Sequence, residues 1–318
     1  MLALAAGAGG IVVALLLLRS VPAPVGSTPP LTTGPAAAAQ PAVADGRIPT
    51  PTDPGFPSPP EGATVLAREA GTRALGLALV PGAGRSLVRV SVLSAVGPGA
   101  TGLHVSVRFA GGASIALTAC GAGCYQASVP SHAVKPHLAV RLGSVAYPFT
   151  LPTSLNLRDG TAILAHATSV WKGLKTLVWH ERLAASPTDA LHTVYRSVAP
   201  DELSYTIAGG SAAVIIGHER WDRATPAGHW VRSTQDPAIR QPLPFWVSGT
   251  DVRVLGSATV AGQDVWVVSF FDPETPGWFE VRISKRTYRT LELSMIAVAH
   301  FMHHLYGPFD APFHLDPP

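Results

Sequence analysis

Charge is scarce in this chain. Asp, Glu, Lys and Arg make up 14% of its 318 residues, against about 25% in ordinary globular domains. Gly (31) and Pro (30) take up much of the difference, which excludes a coiled coil or a long helical bundle. Full disorder is excluded as well, because 47% apolar content is enough to bury a core. Lysine occurs four times against nineteen arginines, and the basic residues are scattered. A net charge of +3 without a basic stripe does not make a nucleic-acid surface. Catalytic signatures are missing too. No Gly-x-Ser-x-Gly elbow and no Gly-Lys-Ser/Thr phosphate loop occurs. His180-Glu181 and His218-Glu219 begin like zinc-protease helices, but Ala184 and Asp222 stand where the second histidine is needed. The expectation is a binding or carrier protein, not an enzyme.

What is present begins with eighteen residues, MLALAAGAGGIVVALLLL, that lack any charged side chain. As a helix they span roughly 27 Å, just under a bilayer's apolar core. Residues 1–20 are expected to form a membrane anchor. The competing reading is a signal segment, although no Lys or Arg precedes the apolar run. Residues 21–60 hold 12 of the 30 prolines and are expected to form an extended linker. Two cysteines, Cys120 and Cys124, flank Gly121-Ala122-Gly123. Glycines at that spacing suit a tight hairpin loop, and a disulfide is expected across it. A two-thiolate copper or zinc site is the alternative. A disulfide puts the folded part outside the cytosol, so the expected location is the cell membrane with extracytoplasmic domains.

Two folded units are expected, giving a mainly β chain. In residues 61–152 short runs alternate apolar and polar side chains, as in Val88-Arg-Val-Ser-Val92 and in Val105, Val107 and Phe109. Turn signals every 8–12 residues then predict an Ig-like β-sandwich. Residues 155–318 contain all seven tryptophans and 18 of the 23 aromatic residues. One helix is predicted to open this unit, capped by Asp159, with Ile163, Ala167, Val170, Trp171 and Leu174 on its apolar face. A long antiparallel meander follows, its last strand running from Leu291 to Leu305. Such a curved sheet has more apolar surface than one helix can cover, so the remainder must meet another sheet, a ligand or the membrane.

The series Leu164, Trp171, Leu174, Glu181-Arg-Leu183, Ala199-Pro-Asp-Glu-Leu203, Val214-Ile-Ile-Gly217, Trp221 and Gly228-His-Trp230 resembles the LolA/LppX/RseB-type half-barrel. That resemblance covers about half the chain. It implies a helix followed by a curved antiparallel sheet, with a lipid-like cargo held in the hollow. The whole layout resembles the extracytoplasmic extension of actinobacterial CopD-type copper-resistance membrane proteins: an apolar helix, a Pro-rich stalk, Val65-Leu-Ala-Arg-Glu-Ala-Gly71, a sandwich with Cys-Gly-Ala-Gly-Cys-Tyr125, then a Trp-rich unit. The sandwich is similar to YtkA/FixG-like modules. The second resemblance implies association with copper handling and a membrane copper transporter as partner.

Two candidate sites follow. Trp171, Trp179, Trp221, Trp230 and Trp266 either line an apolar pocket for a lipid or other amphipathic ligand or fill the core. In His300-Phe-Met-His-His304, a strand places His300, Met302 and His304 on one face. Imidazole and thioether are ligands suited to copper. The alternative is a structural strand with partly exposed histidines, and no cofactor is otherwise expected.

Overall fold

The computed structural model describes residues 57–95, 97–242 and 244–318. The expected anchor and nearly all of the linker lie outside the described residues. Among the described residues no helix is long and apolar enough to cross a membrane. They form ten strands, one α-helix and eleven further strands, all strand pairs antiparallel.

The first ten strands are β1 (Thr64–Ala70), β2 (Arg73–Val80), β3 (Arg85–Ser94), β4 (Gly97–Gly99), β5 (Val105–Phe109), β6 (Ser114–Ala116), β7 (Thr118–Gly121), β8 (Cys124–Pro130), β9 (His137–Leu142) and β10 (Val145–Thr150). One sheet runs β1-β2-β3-β8-β7 with β4 on β3; the other runs β10-β9-β5-β6. Their inner faces meet in one core. Val88, Val90 and Val92 from β3 pack with Val105 and Val107 from β5 and Val140 from β9. Residues two apart share a face of a strand, so each alternating run delivers one apolar row to this core. Cys120 and Cys124 are joined by a disulfide across the β7–β8 turn, with Cα atoms 5.0 Å apart.

Helix α1 (Thr161–Lys172) follows. The N-cap position falls on Gly160, which has no side chain to cap with, and not on Asp159 as expected. Asp159, one residue earlier, accepts hydrogen bonds from the Thr161 backbone N–H at 2.9 Å and from its hydroxyl at 2.6 Å. The buried face is Ile163, Leu164, Ala167 and Trp171, so Leu164 takes the place expected of Val170. The remaining strands are β11 (Thr176–Ser186), β12 (Asp189–Val198), β13 (Glu202–Ile207), β14 (Ala212–Ile216), β15 (Glu219–Arg223), β16 (Val231–Thr234), β17 (Thr250–Val260), β18 (Gln263–Asp272), β19 (Gly277–Ser284), β20 (Thr290–Ala297) and β21 (His300–Phe309). Where one strand was expected from Leu291 to Leu305, the chain makes a hairpin. It turns at Val298-Ala299, with Ala299 at φ 54°, a conformation few non-glycine residues adopt.

The sheet order is β16-β15-β14-β13-β12-β11-β21-β20-β19-β18-β17. The first and last strands of the unit therefore pair in the middle, and the two free edges, β16 and β17, are consecutive in sequence. The segment joining them must cross the open side of the curved sheet. Both faces of the sheet are covered. On the convex face, Ala184, Phe271, Trp278, Ile296 and Phe301 bury against Ala63, Val65, Ala74 and Ala78 of the sandwich. Arg182 donates to Glu69 across this boundary at 2.8 Å.

Candidate functional site

The concave face is the place where a cargo was expected. It is built by three neighbouring strands. Register sets Glu181 of β11 opposite His304 of β21, and Trp179 between Tyr195 of β12 and Tyr306 of β21. Period-two alternation then sends Leu177, Trp179, Glu181 and Leu183 to one face together with Tyr195, Met302, His304 and Tyr306. Helix α1 lies over this floor, with Trp171 edge-on to Tyr306 at 4.8 Å.

The apolar surface that one helix was expected to leave uncovered meets the chain's own connection instead. The β16–β17 connection enters the hollow and places Ile239, Phe245 and Trp246 in the same core as α1 and the sheet. Trp246 is 2% exposed. Its ring packs edge-on against Trp171 and Phe270, and its indole N–H donates to Thr168 Oγ1 at 2.9 Å. Phe245 meets Trp179 at 6.2 Å and His304 at 4.4 Å between ring centroids. The connection is pinned by the Gln241 N–H to the Pro200 carbonyl at 2.8 Å and by the Val247 N–H to Asp272 Oδ2 at 2.7 Å. Gly249 lets it pass beside α1, since a Cβ there would lie 2.8 Å from Leu164 Cδ2.

Beneath Phe245 lies a buried polar chain. His304 is fully enclosed, with Nε2 2.7 Å from Glu181 Oε2 and Nδ1 2.7 Å from the Tyr306 hydroxyl. The Tyr195 hydroxyl donates to Glu181 Oε1 at 3.1 Å. A neutral imidazole satisfies both contacts, donating from Nε2 and accepting the Tyr306 hydroxyl at Nδ1. Burial pushes the Tyr195 and Tyr306 hydroxyls well above the usual tyrosine range, and the Glu181 carboxylate adds to both shifts. These phenols stay protonated and serve as donors.

Of the expected tryptophans, Trp171, Trp179 and Trp266 belong to the hollow's side, Trp266 at its edge against Tyr288 and beneath Arg158. Trp221 and Trp230 do not line it. Trp221 pairs with Val214, between strand neighbours that face the core, so alternation turns it to the convex face, where Arg232 lies 6.0 Å from its ring. Half-buried Trp230 is covered by Arg223 at 4.8 Å. His300, Met302 and His304 do share one face, but His304 commits both ring nitrogens to Glu181 and Tyr306, and His300 Nδ1 lies 3.0 Å from the Val298 carbonyl. Among the described residues no group of three or more His, Cys, Asp or Glu is placed to hold a metal ion.

Sequence reasoning missed Phe245 and Trp246. The available signal was two adjacent aromatics in Pro242-Leu-Pro-Phe-Trp246, a segment too proline-rich for a central strand.

No family model matches the chain, and no curated protein matches it. Solved structures with a similar fold include LprF from Mycobacterium bovis, 10% identical over 53% of this chain and 99% of that one, at a TM-score of 0.38. A LolA superfamily protein from Nitrosomonas europaea is 10% identical over 48% of this chain and 94% of its own, at 0.23. A DUF1329 family protein from Desulfovibrio piger is 9% identical over 49% and 93%, at 0.26. Likeness at this level transfers no ligand to this chain.

Proposed function

We propose that the chain is an extracytoplasmic, membrane-tethered binding protein. It takes an apolar or amphipathic ligand between the curved sheet and α1, with the Ig-like sandwich as a spacer. The observation that carries this reading is what joins the sheet's own side chains beneath α1: Ile239, Phe245 and Trp246 from a connection without strand or helix. Such a segment can leave while the sheet, the helix and the sandwich keep their own contacts. The Cys120–Cys124 disulfide supports an oxidising compartment.

Energetics limit the ligand. Burying a tryptophan removes about 150–250 Å² from water, worth about 5 kcal/mol at roughly 25 cal/mol per Å². An acyl chain gains about 0.8 kcal/mol for each buried methylene. On that scale about six methylenes offset the departure of Trp246, and roughly ten offset both aromatics. The ligand therefore has to be long-chain. Mass spectrometry of protein purified without detergent tests the reading: long-chain lipid should co-purify and be retained in the gas phase. Protein that stays empty after incubation with membrane extract, with Trp246 fluorescence unchanged, would count against it.

A further inference from the structure

Two indole donors in the hollow have nothing to donate to among the described residues. Among those residues, Trp171 Nε1 and Trp179 Nε1 are buried without a hydrogen-bond partner, in side chains 2% and 4% exposed. An indole N–H is a donor only. Left unpaired away from water, it costs more than a made bond gains, and buried tryptophans ordinarily find a partner. Another indole of the hollow, that of Trp246, does find one in Thr168. Both orphan donors sit on rings that touch the inserted aromatics, Trp171 against Trp246 and Trp179 against Phe245. Hydrocarbon rings accept only weakly from an N–H, so the present filling leaves two polar groups of the wall unanswered.

The charge around them narrows what would answer them. Nearby acceptors are already engaged: Glu181 takes bonds from Tyr195 and His304, and His304 is held by Tyr306. Arg220 reaches the rim of this core, 3.4 Å from the Tyr205 hydroxyl, but is paired with Asp222. Arg158 lies over Trp266 at its edge, and the Glu181 carboxylate lies on its floor. An anionic head group at Trp179 would be buried near the Glu181 carboxylate, a like charge. A plain hydrocarbon would leave both donors unpaired.

We infer that Trp171 and Trp179 form a hydrogen-bonding subsite for uncharged carbonyl oxygens, and that the ligand is a neutral long-chain amphiphile bearing such a group. This rests on the reading that the hollow exchanges its own aromatics for an apolar chain. The subsite gives that exchange a preference, because a carbonyl ligand relieves a penalty that the closed form carries.

The test uses three probes of equal chain length: a monoacylglycerol, the corresponding fatty acid and the corresponding alkane. Each is titrated into the full chain while the ¹⁵N–¹H signals of the indoles are followed. The monoacylglycerol should bind about tenfold more tightly than the alkane and move the Trp171 and Trp179 signals downfield. Trp171→Phe together with Trp179→Phe should remove the monoacylglycerol's advantage over the alkane. If the double variant fails to fold, Trp179→Phe alone and the wild-type indole shifts carry the same test. Equal affinity for all three probes, or binding that leaves both indole signals in place, overturns the subsite while the hollow remains a binding site. Absence of binding by every probe, with the Trp246 signal also unmoved, overturns both.

Discussion

The Thr168 hydroxyl accepts the Trp246 indole N–H at 2.9 Å while donating to the Leu164 carbonyl at 2.8 Å. One side chain of α1 thereby ties the inserted connection to the helix. Thr168→Val keeps the shape and removes the acceptor, leaving the indole unpaired at a cost of about 1–3 kcal/mol. Hydrogen exchange should accelerate at the amides of residues 245–249 and little elsewhere, and binding of a fluorescent acyl probe should tighten. Unchanged exchange there would show that the hydroxyl does not hold the connection in place.

The alternating rows of the sandwich and the amphipathic helix were readable from sequence because local periodicity determines which face is buried. Val88, Val90 and Val92 announce their core face within five residues. The β20–β21 hairpin was not readable, since its turn at Val298-Ala299 lacks the glycine, asparagine or proline that marks most turns. The polar chain through Glu181 and His304 depends on β11 pairing with β21, more than a hundred residues apart. No local pattern encodes that register. The same holds for Phe245 and Trp246, whose burial follows from β16 and β17 being the two free edges of one sheet.

Gly76 of β2 faces the ring of Trp278 on β19, and a Cβ at that position would lie 2.6 Å from two of its ring carbons. The sandwich seats on the convex face at this contact. Gly76→Ala must push the ring or the strand aside, an overpacking cost of about 1–3 kcal/mol. The expected result is a lower thermal midpoint with easier proteolysis between residues 151 and 160, while acyl-probe binding in the hollow persists. A midpoint equal to wild type would mean that the seat yields freely.

The disulfide closes a short loop, its cysteines four positions apart. Chain entropy alone then gives it about 2 kcal/mol. Cys120→Ser with Cys124→Ser should lower the stability of the sandwich by about that amount in denaturant titration. It should leave the Trp171 and Trp179 indole signals where they are, because β7 and β8 have no part in the hollow. Movement of those signals would reveal coupling between the two units that the packing does not provide for.

Two glutamates on the convex face are displaced in opposite directions around Arg282. Glu292 is bonded to His303 Nε2 at 2.8 Å and to Arg282. The His303 hydrogen bond, more than the nearby guanidinium, holds its carboxyl below the usual glutamate range. Glu280 also reaches Arg282, at 3.1 Å, but burial beside the sandwich outweighs that attraction and the Glu292 charge adds to it, so its carboxyl is pushed up. Linkage gives the two signs. Glu292 contributes stability that is present above the ordinary glutamate pKa and is lost as pH falls through its depressed value. Glu280 contributes stability that is present below the ordinary pKa and is lost as pH rises through its raised value. Thermal unfolding from neutral pH to about pH 3 separates them. Glu292→Gln should lower the midpoint at neutral pH and converge on wild type in acid. Glu280→Gln should raise it at neutral pH, because an uncharged amide avoids the burial cost, and that gain should vanish on acidification. If Glu280→Gln lowered the neutral midpoint instead, the Arg282 ion pair would outweigh desolvation, and the sandwich would be seated on a charge pair held at net benefit.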